Sequence, residues 1–210
     1  MQSFIDEIAI GTKQDAVQLR LDLLGEPRKI PYRENGSTFD TGRMAAVLQL
    51  AADKIGWKEK RTDGHGVGIA CHCTFGGYAA HAFEVSVEGN ELVIHRAVCT
   101  VDVGRVVNPL GLEAQVMGGT LDAISAALNL AITVREGQVQ QRNFPDYPLL
   151  RMAQSPQNVE VYSIDSTGEP SGAGEIGVAS AAPALANAIY AATTVRVRKL
   201  PIMPELMRML

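Results

Sequence analysis

The sequence contains few cysteines, with Cys71, Cys73 and Cys99 the three among its 210 residues. The count is odd, and the first two lie too close together to bridge within one extended strand. A chain of this length can bury a core that needs no cross-links. We therefore expect no disulfide framework and interpret the cysteines as small buried side chains.

Long apolar runs are also missing. No apolar stretch reaches the roughly 20 residues that a helix needs to cross a bilayer, so membrane insertion is not expected. The first residues have the pattern of an amphipathic helix that contains Asp6 and Glu7. They lack the basic and then apolar order of a signal peptide. The compartment is left open, because it depends on the N-terminus of any longer parent chain.

Positive charge is not in excess. The formal net charge is −4 and the isoelectric point is about 5.6, which argues against nucleic acid or an anionic membrane surface as the main partner. The sequence also lacks the GxSxG, HExxH and P-loop motifs. The absence of these motifs argues against the common serine hydrolases, zinc peptidases and P-loop NTPases.

The first part of the sequence has the apolar spacing of helices. One helical segment is predicted at 3–24 and another at 42–57, with Thr41 as the cap of the second. Residues 26–40 between them are polar and rich in turn formers, which predicts a loop. Residues 1–60 are therefore expected to form a helical lead-in.

From Gly64 onward the helical period gives way to runs that are typical of β-strands. The expected elements, in chain order, are strands at 67–74, 79–88 and 91–101 with a tight turn at 88–90, a helix at 112–129, strands at 130–135, 138–142 and 159–164, and a helix that starts near Pro183 and runs to Thr193. Regular β-α-β alternation is absent from this order. We therefore predict an α+β fold, with a mixed sheet or sheets and flanking helices, and one compact unit over 61–210.

A polar loop at 165–177 contains the letters GAGEIG at 172–177, which match the GxGxxG dinucleotide fingerprint. That fingerprint follows a strand directly and opens a helix, with an acid about 20 residues further on. Here seven polar or turn residues precede Gly172, and no acid lies between Glu175 and Glu205. Dinucleotide binding is rejected. Two interpretations remain: a flexible surface loop, or a loop that holds Glu175 in a water-poor site as a general base.

Gly118 and Gly119 are unusual because both lie inside the predicted helix at 112–129. Each glycine in a helix interior costs ~1 kcal/mol relative to alanine. The pair therefore calls for a packing reason, or for a ligand that approaches the helix backbone closely.

No metal-ligating cluster is predicted in this chain. In the run Cys71-His72-Cys73, strand alternation directs the two cysteines to one face and the histidine to the other. The second ligand pair that a zinc site would need is missing as well. The other histidines are interpreted as surface or hydrogen-bonded residues: His65, His81 and His95.

Five short segments follow one another along the chain: DVG with NP at 102–109, QVMGG at 115–119, NFPDY at 143–147, GAGE at 172–175 and PALANAI at 183–189. Taken singly, Asp102 and Asn108 could cap a turn and a helix, and 143–147 could form a plain turn. Together the segments resemble the C-terminal part of the molybdenum-binding large subunit of the xanthine dehydrogenase and aldehyde oxidase family. Residues 66–102 resemble its isoquinoline 1-oxidoreductase beta subunit and aldehyde dehydrogenase branch.

The resemblance implies a cofactor and a reaction for the full subunit. The cofactor is molybdopterin with molybdenum, as the cytosine dinucleotide usual in bacteria. The reaction is oxidative hydroxylation of an aldehyde or an N-heteroaromatic carbon with water as the oxygen source, and Glu175 is implied as its catalytic base. Gln115 is implied as a cofactor contact, and the implied cofactor-binding glycines are Gly118, Gly119, Gly174, Gly76 and Gly77. The implied partners are the N-terminal part of the same large subunit and a [2Fe-2S] small subunit.

Some features depart from the family's pattern. Ala114 and Thr194 stand where the family carries glycine, and Phe75-Gly76-Gly77 is only a fragment of its Gly-Gly-x-Phe-Gly-Gly loop. A Gly-Gly-x-x-x-Gly-Gln loop is also missing, so we do not expect the chain alone to hold the cofactor. The preferred interpretation is the C-terminal part of a molybdenum hydroxylase. The alternatives are a non-catalytic assembly or interaction module from the same family, and an unrelated small-molecule binding domain, which the five ordered segments disfavour.

Overall fold

The computed structural model describes residues 1–32, 37–89 and 91–210. Its helices are α1 (Gln2–Gly11), α2 (Ala16–Leu24), α3 (Thr41–Ile55), α4 (Pro109–Asn129), α5 (Ala181–Thr193) and α6 (Ile202–Met209). Its strands are β1 (Lys29–Pro31), β2 (Thr38–Asp40), β3 (His65–Thr74), β4 (Gly77–Glu88), β5 (Glu91–Asp102), β6 (Val134–Arg135), β7 (Gln138–Val139) and β8 (Asn158–Ser163). The fold is α+β, as the order of elements in the sequence predicts.

The largest sheet in the described residues has the strand order β3-β4-β5-β8. Its first three strands are antiparallel neighbours, which confirms the strands predicted at 67–74, 79–88 and 91–101. The turn from β3 to β4 consists of Phe75 and Gly76, with φ angles of +50° and +81°. Two positive φ angles are typical of the two-residue turn that suits the twist of a hairpin. Asn90, in the turn predicted at 88–90, lies outside the described residues.

Strand β8 pairs in parallel with β5, which makes the sheet mixed. A parallel neighbour requires a long crossover connection, and α4 lies within the connection from β5 to β8. The predicted hairpin at 130–142 is also present, with β6 and β7 of two residues each. The crossover places the polar loop that follows β8 beside α4.

Helices cover both faces of this sheet. Helix α5 packs on the face that carries Phe83 and Val85, whereas α3 packs on the face that carries Ile69 and Val98. Full burial of a side chain such as Phe83 contributes ~1.5–3 kcal/mol. The contact between α5 and β3 is so close that a Cβ added to Gly68 would lie 2.1 Å from the backbone nitrogen of Ala188. Small residues on both elements make that approach possible.

The start of α3 differs from the sequence prediction in its capping residue. The cap is Asp40, whose carboxylate accepts a hydrogen bond from the Arg43 amide at 3.1 Å. The Thr41 hydroxyl instead accepts from the Arg28 amide at 2.9 Å and donates to the Glu26 carbonyl at 3.1 Å. Thr41 therefore anchors the preceding segment, and its assignment as the cap was wrong.

The segment predicted as a loop at 26–40 contains a short hairpin. Strands β1 and β2 pair antiparallel, with Ile30 opposite Phe39. The prediction of a loop was wrong for these two strands, and residues 33–36 lie outside the described residues. Helix α6 was not predicted either, although Ile202 and Leu206 on it are fully buried against α4.

A buried ion pair joins α1 to the segment that follows α5. The Arg196 guanidinium donates to the Asp6 carboxylate at 3.0 Å, and both side chains are buried. The same guanidinium lies 3.6 Å from the ring centre of Tyr190 and donates to the Asn187 side chain at 3.4 Å. These contacts compensate for the cost of removing two charges from water.

Candidate functional site

A cleft of about 610 Å³ lies between α4 and the loop that precedes α5. It is lined by Thr74, Gln115, Gly118, Gly119, Asp122, Gly174, Glu175, Val178 and Ala179. Five of the seven residues singled out from the sequence therefore meet at one place. Gly76 and Gly77 do not border this cleft.

One face of α4 forms the first wall of the cleft. The helix begins at Pro109, where the Asn108 side chain accepts a hydrogen bond from the Gly111 amide at 3.0 Å. The residues that line the cleft follow at helical spacing on one face: Gln115, Gly118, Gly119 and Asp122. Asp122 was missed by the sequence reasoning, although its spacing of seven from Gln115 places it on the same face.

Packing among the described residues does not explain the two glycines on α4. A Cβ added to Gly118 would meet no atom within 4 Å, and one added to Gly119 would meet the Gly177 Cα at 3.5 Å and the Val178 Cγ2 at 3.6 Å. These are ordinary van der Waals distances. Packing among the described residues therefore does not account for Gly118, and the ligand interpretation stays open there.

The loop that carries Glu175 forms the second wall and is anchored on both sides. Before it, the Ser171 amide donates to the Val103 carbonyl at 2.8 Å. After it, Ile176 is fully buried, and Gly177 lies so close to α4 that an added Cβ would be 2.6 Å from the Val116 carbonyl oxygen. The loop is therefore fixed against α4, which disagrees with the interpretation of a flexible surface loop.

The Glu175 side chain itself is exposed on the cleft. The sequence interpretation placed this carboxylate in a water-poor site, and the described residues do not provide one. A hydrogen bond across the cleft is long: the side-chain amide of Gln115 donates to the Gly174 carbonyl at 3.5 Å. Glu175 would need a further covering surface to lose its contact with water.

Gly76 and Gly77 lie at the hairpin turn between β3 and β4. Gly76 borders a separate pocket of about 440 Å³, together with Arg43, Tyr78 and Ser171. Gly77 is buried beneath the loop, where an added Cβ would lie 2.9 Å from the Ser171 hydroxyl oxygen. Turn geometry and packing account for both glycines within this chain.

The DVG segment has a structural role in the described chain. Burial would raise the pKa of Asp102, but hydrogen bonds from the Arg43 guanidinium and the Gly104 amide outweigh burial and hold that pKa below its ordinary value. The Arg43 guanidinium donates two hydrogen bonds to this carboxylate, each 2.7 Å long. Both Asp102 and Asn108 therefore cap local structure, which is the plainer of the interpretations given for them.

The Cys71-His72-Cys73 run does not form a ligand set. Cys71 is buried on the α3 face, and His72 contacts the Ser180 hydroxyl on the α5 side at 2.9 Å. Cys73 is exposed, so its assignment as a buried side chain was wrong, whereas Cys71 and Cys99 are buried. Across residues 1–32, 37–89 and 91–210, no group of three or more His, Cys, Asp or Glu side chains could hold a metal ion. Nor does any helix in these ranges have the length and apolar character to span a membrane.

We expect the stability of the chain to fall in mild acid. Burial lowers the pKa of His81 to about 3 and that of His72 to about 4, from 6.5. Between these values and 6.5 the unfolded chain binds more protons than the folded chain, so the free energy of unfolding falls as the pH drops below 6.5. Each histidine contributes up to about 1.4 kcal/mol per pH unit. Thermal melts from pH 7 to pH 5 would measure this slope, and an unchanged slope in His81→Gln would contradict the assignment.

Residues 16–156 match the family described as molybdopterin cofactor-binding domain. The chain belongs to this family, within the xanthine dehydrogenase group of molybdenum enzymes. The matched range includes β3, β4, β5 and α4, and so one wall of the cleft.

Individual relatives agree with the family assignment. The chain is 33% identical to the isoquinoline 1-oxidoreductase subunit beta of Brevundimonas diminuta, over 99% of this chain and 25% of that protein. It is 30% identical to the membrane-bound aldehyde dehydrogenase [pyrroloquinoline-quinone] of Gluconacetobacter polyoxogenes, over 97% of this chain and 27% of that protein. The aldehyde oxidoreductase structure from Desulfovibrio gigas shares the fold, with a TM-score of 0.68 and 13% identity over 95% of this chain and 39% of that one. The chain spans about a quarter of the length of these two curated relatives.

Proposed function

We propose that this chain is the C-terminal part of a molybdenum hydroxylase large subunit. In that subunit it takes part in the oxidative hydroxylation of an aldehyde or an N-heteroaromatic carbon, with water as the oxygen source. The observation that carries the proposal is the convergence of Gln115, the two α4 glycines, Gly174 and Glu175 on one cleft. These residues come from two of the five ordered segments, which lie far apart in the sequence.

The residues of the cleft fit part of a molybdopterin group. Gly118 exposes helix backbone without a side chain, and outside that helix's own backbone no described atom would lie within 4 Å of a Cβ there. A flat ligand could therefore approach α4 as closely as its backbone allows. Gln115 and the backbone around Gly174 supply hydrogen-bonding groups at the same opening. When bound, the group would supply the two-electron oxidation, for which the chain's own side chains have no equivalent.

Within this proposal Glu175 acts as the general base. Its carboxylate lies on the cleft wall, and the anchors on either side of it hold the backbone in place. One carboxylate oxygen would accept a proton from the attacking water-derived hydroxyl. A carboxylate gains basicity when water is excluded from it. Because Glu175 is exposed in this chain, a covering surface from another part of the subunit belongs to the proposal.

The proposed partners follow from the share of the relatives that the chain spans. The remaining three quarters of such a subunit would supply the N-terminal part of the pocket, including the two glycine-rich loops that this sequence lacks. We also propose the cytosine dinucleotide form of the cofactor and a [2Fe-2S] small subunit as the electron acceptor. Relatives whose names identify them as subunits of larger enzymes support this arrangement.

Purified alone, the chain is expected to contain no stoichiometric molybdenum or cytosine dinucleotide, because it provides only part of the binding surface. Elemental analysis and nucleotide release would test this. A content of about one molybdenum per chain would contradict the fragment assignment. A full subunit that assembles normally but never acquires the cofactor would favour the alternative, a non-catalytic assembly module of the same family.

Gly118→Leu should separate a ligand role from a packing role. The added side chain meets open space, and helix propensity favours Leu over Gly by ~0.8–1 kcal/mol. The isolated chain should therefore melt at the same temperature or up to about 4 °C higher. In the full subunit the same change should reduce molybdenum content severalfold, since the side chain would occupy the ligand's place. Gly11→Leu, at another glycine with open space around it, is the control and should leave the metal content unchanged.

A further inference from the structure

Four polar side chains, three of them buried and the fourth half-buried, form a continuous hydrogen-bond network beneath the cleft. The Ser180 hydroxyl oxygen lies 2.9 Å from the Nδ1 atom of His72 and 2.7 Å from the Nδ1 atom of His81. The Nε2 atom of His81 lies 3.0 Å from the Thr120 hydroxyl oxygen, which lies 2.8 Å from the Val116 carbonyl oxygen. These contacts connect β3, β4, the start of α5 and α4 through side chains alone.

Only one arrangement of protons turns every one of these contacts into a hydrogen bond with both imidazoles neutral. The Val116 carbonyl can only accept, so the single hydroxyl proton of Thr120 must point to it. The Thr120 oxygen then accepts from the Nε2–H group of His81, which leaves the Nδ1 atom of His81 as an acceptor. The Ser180 hydroxyl donates to that atom and accepts from the Nδ1–H group of His72.

The His72 end of the network agrees with this proton direction. The Nε2 atom of His72 is buried and has no hydrogen-bond partner among the described residues. In the arrangement above it carries a lone pair and no proton, so no buried N–H donor is left unpaired there. The reverse direction would leave an unpaired N–H at His72 and would bring two acceptor oxygens, those of Thr120 and Val116, within 2.8 Å without a proton between them. The low pKa of both histidines, caused by burial, also keeps the imidazoles neutral.

The Ser180 side chain takes part in the hydrogen-bond network and does not cap the helix that it precedes. It occupies the N-cap position of α5, where a serine side chain commonly accepts a hydrogen bond from the first turn. Here its side chain makes no capping hydrogen bond and instead contacts the two imidazoles. The Ser180 hydroxyl therefore points to the two imidazoles and not to the backbone N–H groups of the first turn of α5.

Each wall of the cleft contributes a side chain to the hydrogen-bond network. Thr120 directly follows Gly119 on α4, and Ser180 ends the loop that begins with Gly174 and Glu175. Between them Gly177 rests on the α4 turn from Val116 to Thr120. Loss of a hydrogen bond in this network would therefore shift the loop relative to the face of α4 that it opposes.

We propose that His72, Ser180, His81 and Thr120 are positioning residues, which form a hydrogen-bond relay of fixed proton direction and hold the Glu175 loop against α4. The catalytic relevance of the relay rests on the proposed function, in which Glu175 is the base. The relay itself is a property of this chain alone. Its tests need no cofactor, so failure of the Glu175 assignment would leave them intact, and their failure would leave that assignment intact.

The proton direction can be tested by nitrogen-15 NMR of the imidazoles in the 210-residue chain between pH 6 and pH 8. We expect His81 as the neutral Nε2–H tautomer and His72 as the neutral Nδ1–H tautomer. Either histidine in the opposite tautomer, or as an imidazolium in this range, would overturn the fixed direction.

The positioning role can be tested by amide hydrogen exchange in a matched pair of variants, Thr120→Val and Thr120→Ser. The Val178 amide donates to the Glu175 carbonyl at 3.2 Å, so its exchange reports on the loop directly. In Thr120→Val, which lacks the hydroxyl, it should exchange at least about tenfold faster, because the change removes two buried hydrogen bonds, each of which contributes about 1 kcal/mol. In Thr120→Ser, which keeps the hydroxyl, exchange should stay near the wild-type rate.

A purely structural role would give a different pattern. In that case the central amides of β4, such as that of Phe83, would accelerate as much as Val178, because the whole domain would be less stable. An equal increase, or no increase at Val178, would overturn the proposal. Ser180→Ala, which removes the middle hydroxyl without removing a capping bond, is the second variant in case Thr120→Val does not fold. It should reproduce the selective increase at Val178.

Discussion

In the full-length enzyme, Glu175→Gln is expected to lower kcat by at least ~100-fold while molybdenum content and fold are retained. A general base typically contributes 10²–10⁴-fold to the rate. Gln has nearly the same shape as Glu but does not accept a proton at neutral pH. The Glu175 side chain lines the cleft and is exposed, so the substitution breaks no buried contact of this chain. KM should change little if the lost interaction is made only in the transition state.

Glu169→Gln is the matched control for this prediction. Glu169 lies six residues earlier in the same loop and is also exposed, but it borders the other pocket, beside Gly76 and Ser171. Its variant should turn over within about threefold of wild type, since it makes no contact with the cleft. Wild-type turnover by Glu175→Gln with full metal content would show that the loop only packs against the cofactor, and another base would have to be sought.

The largest loss of stability is expected from Gly68→Ala. The added Cβ would lie 2.1 Å from the Ala188 nitrogen and 2.4 Å from the Ala184 carbonyl oxygen, both in the backbone of α5. Neither atom can move without displacing the helix from the sheet. Overpacking of this kind costs about 3 kcal/mol, which corresponds to a fall of roughly 6–12 °C in Tm for a domain of this size.

Intrinsic propensity makes the opposite prediction, which sharpens the test. Alanine is favoured over glycine within a strand by ~0.5–1 kcal/mol, so a variant that melts at or above the wild-type temperature would contradict the close packing of β3 on α5. Gly11→Ala is the control. It adds the same methyl group in open space at the end of α1 and should leave Tm unchanged or slightly raised.

Most of the central sheet could be predicted because β3, β4 and β5 are long, with 10 to 12 residues each. The errors fell where two neighbouring residues were equally suited to one role, or where an element was short. Asp40 and Thr41 are both common capping residues, and only the tertiary contacts of Thr41 decide between them. Strands β1 and β2 have three residues each, too few for an alternating pattern.

The candidate site was predictable where local sequence determines geometry. Helical spacing alone places Gln115, Gly118 and Gly119 on one face. The exposure of Glu175 could not be predicted, because it depends on whether another surface packs over the loop and not on the loop's composition. Gly76 resembles a ligand-binding glycine in sequence, but its positive φ serves a hairpin turn. The sequence alone does not distinguish a glycine that binds a ligand from one that forms a turn.

One departure from the family pattern has a conformational meaning. Thr194 stands where the family carries glycine, and it ends α5 in the left-handed conformation with a φ of +62°. A helix commonly ends with glycine in this conformation, because glycine has no Cβ to clash with the backbone. A β-branched residue there is strained, so the glycine that the resemblance implies at this position would suit the helix end.

The ion pair between Asp6 and Arg196 closes a loop of nearly the whole chain. Any dissection of this domain that removes α1 would also remove the carboxylate that pairs with Arg196, and breaking a buried pair of this kind costs about 3–5 kcal/mol. Removing the segment after α5 would in the same way leave the Asp6 carboxylate without the Arg196 guanidinium. Expression boundaries for this unit therefore have to be drawn outside both residues. A tag can extend beyond either one, but a truncation cannot pass through them.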